Sequence, residues 1–401
     1  MISTDATVFT KSFTQQEPIA DAAMQAVAAV LQTGRLHRYN VDDGEESEAA
    51  RLEREYAAWQ GTDYCLACTS GGYALQLALR AAGLQAGDTV LANAWTLAPV
   101  PGAIYASGGQ PVFVEIDSTC RIDLTDLAAK ADASGAKFLM LSHMRGHIAD
   151  MEAIQAICES RGIVMIEDCA HTMGARWNAV LSGNFGHIAC FSTQTYKHMN
   201  SGEGGLLTTN DPEIAARATI LSGSYMLYDR HGAGPDTQAF EDVRLTTPNC
   251  SGRMDNMRAA LLRAQLPDLP GKIDAWNRRY AILEAAITRT QGLAPIPRPT
   301  SEAYVGSSIQ FQAISLQPAQ IPDLLARLAA RGVEVKWFGE ADPRGFTSRY
   351  DSWRYLADIA PLPNTLDALS KLLDMRIPLT FDEADCTLIG TIIGEEAAKT
   401  L

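Results

Sequence analysis

The sequence has little positive charge. Its 401 residues include 33 Lys and Arg against 47 Asp and Glu, which gives a formal net charge of -14. Nucleic acids and anionic membrane surfaces bind basic faces, so neither partner is expected. No apolar run approaches the roughly 18 residues that span a bilayer. The N-terminus also lacks the charged and apolar regions of a secretory signal, and we therefore expect a cytoplasmic protein.

Motifs for metal binding are equally scarce. The eight cysteines are scattered, and Cys65 and Cys68 form a CxxC pair without a second one to complete a zinc site. His143 and His147 have the i,i+4 spacing of zinc ligands, but a glycine lies between them and the HExxH glutamate is absent. We expect buried cysteines, a pocket-lining loop around the histidines, and no metal.

An alternation of strands and helices dominates the first two thirds of the chain. Apolar strands are predicted at 64–69, 89–94, 111–116, 137–142, 163–168, 187–193 and 205–209. Helical spacing of apolar residues falls between several of them, as in YALQLALRAAG and MEAIQAICESRG. Such units predict an α/β fold with a mostly parallel seven-stranded sheet, covered on both faces. Ligands bind beyond the carboxyl ends of these strands.

The pattern changes after about residue 265, where PDLPGK marks a break. The elements predicted beyond it are a helix in DAWNRRYAILEAAI, a strand–helix–strand unit over 307–335, and helices at 364–373 and 383–397. We predict a large domain over residues 1–265, with an N-terminal helical segment, and a smaller C-terminal α+β domain over 266–401.

Three motifs at predicted strand ends could carry chemistry. TSGGYAL opens a helix after two glycines, and its N–H groups can hold a phosphate or simply form a turn. Asp168 ends an apolar strand and can hold a protonated ring nitrogen or cap a helix, while Glu167 points to the opposite side. Lys197 precedes a Gly-rich turn and is either a Schiff-base amine of lowered pKa or a solvated surface lysine.

The order of these motifs is that of a fold-type-I pyridoxal 5'-phosphate (PLP) enzyme. The sequence resembles the DegT/DnrJ/EryC1/StrS family of sugar aminotransferases from about residue 15 to 395. The matching segments are QTGRL, TSGGYALQLAL, GGQPVFVEID, HMRGHIADMEAI, IVMIEDCAHTMGA, GHIACFSTQTYKHMNSGEGGLLTTND and GRMDNMRAALLRAQL. The resemblance implies a fold-type-I PLP transferase that works as a homodimer with shared active sites.

The resemblance also implies the catalytic residues. Lys197 matches the Schiff-base lysine, and Asp168 matches the partner of the pyridine nitrogen. His171 matches a residue near the phenolic oxygen of the cofactor. Some members of the family are dehydratases in which His replaces the lysine. The lysine is present here, although His198 follows it, so transamination is favoured.

The implied phosphate and ring contacts depart in part from the family pattern. Ser192 matches the serine that binds phosphate, and the backbone of Gly72 and Tyr73 matches the phosphate turn. Gly72 stands where the family commonly has Ser or Thr. Leu97 aligns with the aromatic residue that stacks on the cofactor, and Ser251 with an asparagine donated by the neighbouring subunit. Trp95 could replace the missing ring if its segment stays extended.

Substrate contacts are predicted in segment 336–355, which is rich in aromatic residues and arginines. Arginine forks bind phosphate or carboxylate, so this segment either contacts an anionic substrate or is a solvated loop. The candidate substrate residues are Arg35, Trp337 with its neighbour Phe338, Arg344 and Arg349.

Together these features predict a PLP-dependent aminotransferase. Its small-molecule partners would be an amino acid donor, glutamate or glutamine, and a keto-sugar, cyclitol or related polar ketone. A PLP-dependent dehydratase or lyase on a similar substrate is an alternative, since the same cofactor residues serve both reactions. A regulatory protein that binds PLP or a sugar without turnover is another.

Overall fold

The computed structural model describes residues 7–42 and 44–400. The α-helices are α1 Asp21–Thr33, α2 Glu48–Gln60, α3 Gly71–Ala81, α4 Pro99–Ala106, α5 Leu124–Ser134, α6 Met151–Glu159, α7 Pro212–Ser222, α8 Thr237–Val243, α9 Asn256–Gln265, α10 Leu269–Arg289, α11 Ile321–Ala330, α12 Pro363–Ser370 and α13 Glu383–Ala398. Within this part of the chain, none of them is both long and apolar enough to cross a membrane.

The strands are β1 Tyr64–Cys68, β2 Thr89–Asn93, β3 Gln110–Val114, β4 Phe138–Ser142, β5 Val164–Asp168, β6 Arg176–Trp177, β7 Val180–Leu181, β8 Ile188–Ser192, β9 Gly205–Thr209, β10 Ala294–Pro295, β11 Glu302–Ala303, β12 Ser308–Gln312, β13 Lys336–Trp337 and β14 Leu372–Arg376. Seven of them form one sheet in the order β1-β9-β8-β5-β4-β2-β3. Only β9 runs against its neighbours in this sheet. The predicted mostly parallel seven-stranded sheet is confirmed.

The sheet is apolar on both faces because helices cover both. Alternation sends successive strand residues to opposite sides, as Val90 and Leu91 of β2 show. Val90 belongs to the core under α3, α4 and α7, whereas Leu91 belongs to the core that α5 and α6 cover. Strands buried on both faces have continuous apolar runs rather than alternating ones, which is why the sequence marked them clearly.

A second sheet, of order β10-β12-β14-β13, lies entirely after residue 265. Helix α10 packs against α13 beside it. The N-terminal Phe9 and Phe13 also join this part, since each ring meets that of Phe381 edge-on at 4.9 Å. The apolar core under α5 and α6 continues without interruption into this region. The domain boundary at 265/266 stays a prediction.

One predicted element is wrong at its end. The helix expected over 364–373 stops at Ser370, and Leu372–Arg376 forms strand β14 instead. This strand lies between β12 and β13, where its buried leucines complete the second sheet. A short apolar run fits a buried helix end and a buried strand equally well, and here tertiary pairing decides.

Candidate active site

The three strand-end motifs of the sequence lie together at one edge of the large sheet. Parallel pairing aligns the ends of β4, β5 and β8, so that Asp168 faces Ser142 on one side and Cys190 on the other. The start of α3 lies against the end of β8: a Cβ on Gly71 would be only 2.7 Å from the Cβ of Ser192. Glycine is therefore required for this close approach.

The N-terminus of α3 is built to accept an anion. Ser70 caps the helix, and its Oγ accepts a hydrogen bond from the Tyr73 amide at 3.1 Å. The Gly72 amide belongs to the first turn, whose N–H groups have no carbonyl partner inside the helix. These groups and the helix dipole favour negative charge beside Ser192. The phenol of Tyr73 donates to the Leu221 carbonyl at 3.1 Å and anchors α3 to α7.

Lys197 forms the centre of the site. Its Nζ lies 2.9 Å from His171 Nε2. The pKa of Lys197 is lowered to about 7, mainly by burial; the charges of Arg145 and Arg376 act in the same direction and that of Asp168 in the opposite one. Burial also holds the pKa of His171 well below its usual range. A neutral imidazole therefore faces an amine that can gain or lose a proton near neutral pH.

Asp168 is held in a fixed orientation. Ser142 Oγ donates to its Oδ2 at 2.9 Å, and the Ala170 amide donates to its Oδ1 at 3.2 Å. Ser142 is itself fixed, because its amide donates to Asn93 Oδ1 at 2.8 Å. The carboxylate of Asp168 therefore has a defined direction at the end of β5, next to Lys197 and His171.

Glu167 points away from Asp168, as strand alternation predicts. It is fully buried, and it lies 2.9 Å from His143 Nε2. The backbone amides of Gly183, Phe185 and Gly186 also donate to it. These bonds use its oxygens to close the loop between β7 and β8, so this carboxylate is structural.

His143, Glu167 and Cys169 bring one potential metal ligand each within 4.8 Å of one another. Burial raises the pKa of the Cys169 thiol well above its usual value, which keeps it protonated and a poor ligand. The other histidine of the predicted pair, His147, lies 2.9 Å from Gln310 Oε1 instead. The two histidines thus contact different partners, and the segment between them lines the site.

Two cations near Lys197, Arg145 and Arg376, were not among the predicted site residues. Arg145 follows β4, is 7% exposed, and its Nη2 lies 2.9 Å from Asp374 Oδ2. The guanidinium of Arg376 lies 3.9 Å from the centre of the Tyr196 ring. A basic residue directly after a strand end was a signal for Arg145. No local signal marked Arg376, because it comes from the second sheet.

A cavity of about 540 Å³ opens beside Lys197. Tyr196 and Arg376 line it on one side, and residues 16–20 and Trp276 on the other. His198 also borders it, but His198 packs edge-on against Trp276 and lies 3.2 Å from Ser307 Oγ. This cavity gives small molecules access to the amine.

The predicted ring contacts are placed as follows. Leu97 is half-buried and packs against the cluster that contains Trp95 and Phe338. Trp95 is fully buried between His147 and Phe338, at ring distances of 5.9 and 5.5 Å, so its ring is used for packing. Trp95 therefore does not supply the missing stacking ring. Ser251 is exposed, and its contribution to a partner's site stays a prediction.

The predicted substrate residues contact other groups of the same chain. Arg344 is 81% exposed and pairs with Glu340, and Arg349 pairs with Asp351 at 2.7 Å. Arg35 pairs with Asp42 and Glu45 on the surface. Trp337 donates its indole N–H to the Ser370 carbonyl at 2.9 Å, and Phe338 is buried. These arginines pair with carboxylates of the same chain, and their role in substrate binding stays a prediction.

Segment 336–355 nevertheless reaches the site, through other residues. The Phe346 ring lies 6.1 Å from that of Tyr196, next to Lys197 in the sequence. The Nζ of Lys336 lies 5.3 Å from the Phe346 ring, and the Arg376 guanidinium lies 5.9 Å from it. The segment thus contributes an aromatic ring and a lysine where arginine forks were expected.

Comparison with known proteins supports the assignment of these residues to one family. The family model described as the DegT/DnrJ/EryC1/StrS aminotransferase family matches residues 18–389. A solved structure of 3-amino-5-hydroxybenzoic acid synthase superposes with a TM-score of 0.82 at 26% identity. That superposition covers 97% of this chain and 99% of the other, which confirms the fold-type-I architecture.

Curated relatives agree with the family. The L-glutamine:2-deoxy-scyllo-inosose aminotransferase of Streptomyces lividus is 30% identical over 80% of this chain and 74% of its own. A "pleiotropic regulatory protein" of Geobacillus stearothermophilus is 34% identical, but the match spans only 60% of each chain. The family match over nearly the full length, with the lysine, carboxylate and glycine turn in place, shows that this chain is a PLP-dependent aminotransferase belonging to the DegT/DnrJ/EryC1/StrS family.

Proposed function

We propose that this aminotransferase takes an amino group from glutamate or glutamine and delivers it to the ketone of a sugar, a cyclitol or a related polar metabolite. The observation that carries the proposal is the half-buried Lys197 amine, 2.9 Å from His171 and next to Asp168. The relative from Streptomyces lividus is named for a glutamine donor and a cyclitol ketone. Other relatives are named for dTDP- and UDP-linked amino sugars.

The residues of the site fit pyridoxal 5'-phosphate. The close approach of Gly71 to Ser192 forms a cradle in which the Gly72 amide and Ser192 Oγ would hold the phosphate. Asp168 would hold the ring nitrogen, and Lys197 and His171 would also contact the cofactor. When bound, PLP supplies an electron sink at the reacting carbon and carries the amino group between two substrates.

Lys197 is suited to move protons. A pKa of about 7 leaves the amine divided between its charged and neutral forms at neutral pH. General acid–base catalysis is most efficient when the pKa lies near the working pH, because the same group must both accept and return a proton. His171 remains neutral, and its Nε2 can accept a hydrogen bond from the charged amine.

The visible absorption spectrum of the PLP-loaded protein tests the first half of the reaction. We expect glutamate or glutamine to remove the visible band of wild-type enzyme. Lys197→Ala should abolish this change. Lys137→Ala is the matched control, because Lys137 is an exposed surface lysine that pairs with Asp88. If no amino donor bleaches the wild type, or if the Lys197 variant transaminates, the proposal is wrong.

The same preparation separates the two alternatives. A dehydratase or lyase would release elimination products from the substrate, and nitrogen-labelled glutamate would pass no label to any ketone. A regulatory protein would bind PLP without either outcome. The name of one relative, the "pleiotropic regulatory protein", is in favour of the regulatory alternative. The arrangement of Lys197 and Asp168 favours catalysis, because binding alone does not require both.

A further inference from the structure

Three cations and one carboxylate lie close together, and the charges of two of the cations, Arg145 and Arg376, act on the Lys197 amine. We call Arg145, Lys336, Arg376 and Asp374 the cation cluster. Arg145 Nη2 lies 2.9 Å from Asp374 Oδ2. Burial lowers the pKa of Lys336 to about 8, with Asp374 opposing the effect and both arginines adding to it. Burial and the charge of Arg145 also lower the pKa of Arg376. The cluster therefore holds more positive charge than its one carboxylate neutralises.

Arg145 is fixed but incompletely bonded. Its backbone has φ +54°, a left-handed conformation that side chains other than glycine seldom adopt. Its side chain is 7% exposed. Within the described part of the chain, its Nε and Nη2 have no partner in hydrogen-bonding geometry, despite the short distance to Asp374. Buried donors without partners are unfavourable unless a ligand accepts from them.

Asp374 is buried and already accepts a hydrogen bond from another side chain. It is 1% exposed, and its Oδ1 accepts a hydrogen bond from Gln310 Nε2 at 2.8 Å. Gln310 is oriented in turn by His147, whose Nε2 lies 2.9 Å from its Oε1. This chain of contacts holds Asp374, and hence Arg145, in position. The charge of Arg145 also acts on Lys197.

Arg376 is framed by aromatic rings. Its guanidinium lies 3.9 Å from the centre of the Tyr196 ring and 5.9 Å from that of Phe346. Packing of this kind restrains a guanidinium while its N–H edge stays available to a planar anion. Because Tyr196 precedes Lys197, and Arg376 lines the same cavity, an anion bound here lies beside the reacting amine.

We propose that Arg145 and Arg376 bind a carboxylate of the keto acceptor, so that the acceptor is a polar ketone that carries a carboxylate rather than an uncharged sugar or cyclitol. The proposal rests on the proposed aminotransferase function, which supplies the ketone. A guanidinium group recognises a planar carboxylate through two parallel hydrogen bonds. Uncharged hydroxyl groups would leave the excess charge of the cluster unbalanced.

Calorimetric titration of the PLP-loaded enzyme tests the subsite without turnover. The probes are two matched pairs: quinate with myo-inositol, and 3-hydroxybenzoate with 3-hydroxybenzamide. We expect the carboxylates to bind more tightly than their uncharged counterparts. Arg376→Gln should weaken carboxylate binding by about tenfold or more and leave the uncharged probes unchanged. Equal binding within both pairs, or unchanged carboxylate binding by the variant, would overturn the proposal.

Two controls keep the result interpretable. Arg278→Gln removes an exposed arginine that pairs with Glu383, and it should change nothing. Arg145→Gln alone leaves the buried Asp374 without its cation, which endangers folding. The double variant Arg145→Gln/Asp374→Asn removes both charges and should reproduce the loss of carboxylate binding. A folded double variant that binds the carboxylates as wild type does would refute the role of Arg145.

The amino donor also carries a carboxylate, so the two half-reactions are measured separately. Bleaching of the visible band reports on the donor, and its return reports on the keto acceptor. The proposal requires Arg376→Gln to slow the return of the visible band with 3-dehydroquinate more than with scyllo-inosose, an uncharged keto cyclitol. A loss confined to bleaching by glutamate would assign the subsite to the donor and overturn the proposal. If wild-type enzyme transfers no amino group at all, the proposed function fails, while the titrations still report whether the carboxylate subsite exists.

Discussion

Burial of the Lys197 amine determines how the cofactor-free protein responds to pH. The folded state lowers the pKa of this lysine from 10.5 to about 7. An unfolded chain therefore binds a proton that the folded chain does not bind between these two values. The resulting destabilisation is complete below pH 7 and disappears as the pH rises toward 10. The lysine that we propose to be catalytic thus lowers the stability of the cofactor-free protein.

Replacing this amine should stabilise the cofactor-free protein. We expect Lys197→Met to raise the free energy of unfolding by ~1–2 kcal/mol at pH 6, a figure reduced for the partial exposure of the side chain. The gain should shrink by pH 10. Thermal denaturation of both proteins at the two pH values measures it. Lys137→Met, at an exposed position, should show no such dependence. A gain that is the same at both pH values would contradict the assigned burial effect.

Individual site residues could be predicted from the sequence where they lie in a short motif. Lys197, Asp168 and His171 were identified from the sequence, and the structure brings them into one site. Arg145 and Arg376 were not identified, because their importance depends on contacts between residues far apart in the chain. Arg344 and Arg349 were predicted from a segment rich in aromatic residues and arginines; each pairs with a nearby carboxylate, and their role in substrate binding stays a prediction.

At the scale of secondary structure, the approach of α3 to β8 sets the shape of the phosphate cradle. The sequence predicted all seven strands of the large sheet within two residues of the observed bounds, because fully buried strands have continuous apolar runs. It did not show that β9 runs antiparallel, since strand direction leaves no mark on composition. The distance between α3 and β8 depends on one glycine, a dependence that can be tested.

A methyl group at Gly71 should separate these two elements. Its Cβ would lie 2.7 Å from Ser192 Cβ, and the backbone of β8 limits how far Ser192 can move. We expect Gly71→Ala to weaken PLP binding by more than about tenfold, equivalent to ~1.4 kcal/mol. Fluorescence titration with PLP measures this change. Gly102→Ala is the matched control in α4, where a Cβ would meet nothing within 4 Å. Wild-type affinity in Gly71→Ala would show that the cradle tolerates displacement.

At the scale of the whole molecule, the N-terminal segment is joined to the C-terminal part. Phe9 and Phe13 pack against Phe381, and the Phe9 amide donates to the Arg331 carbonyl at 2.9 Å. We predicted that this segment belongs to the large domain, because the segment directly precedes that domain in the chain. The contacts place it beside the second sheet, over three hundred residues away in sequence.

Loss of one of these rings should destabilise the protein as a whole. We expect Phe13→Ala to lower the free energy of unfolding by about 3 kcal/mol, because the ring is buried and its removal leaves a cavity. Chemical denaturation measures the change. Leu31→Ala removes an exposed apolar side chain and should change stability by less than about 0.5 kcal/mol. Equal effects of the two substitutions would mean that the N-terminal segment contributes nothing to the core.

The continuous core under α5 and α6 has a kinetic consequence. Its apolar side chains come from both sheets, and β11 pairs with β6 to add a backbone link between the two parts of the chain. Opening a hinge between the parts would expose this core to water. Because that exposure is unfavourable, the shared core slows any motion that separates the two sheets.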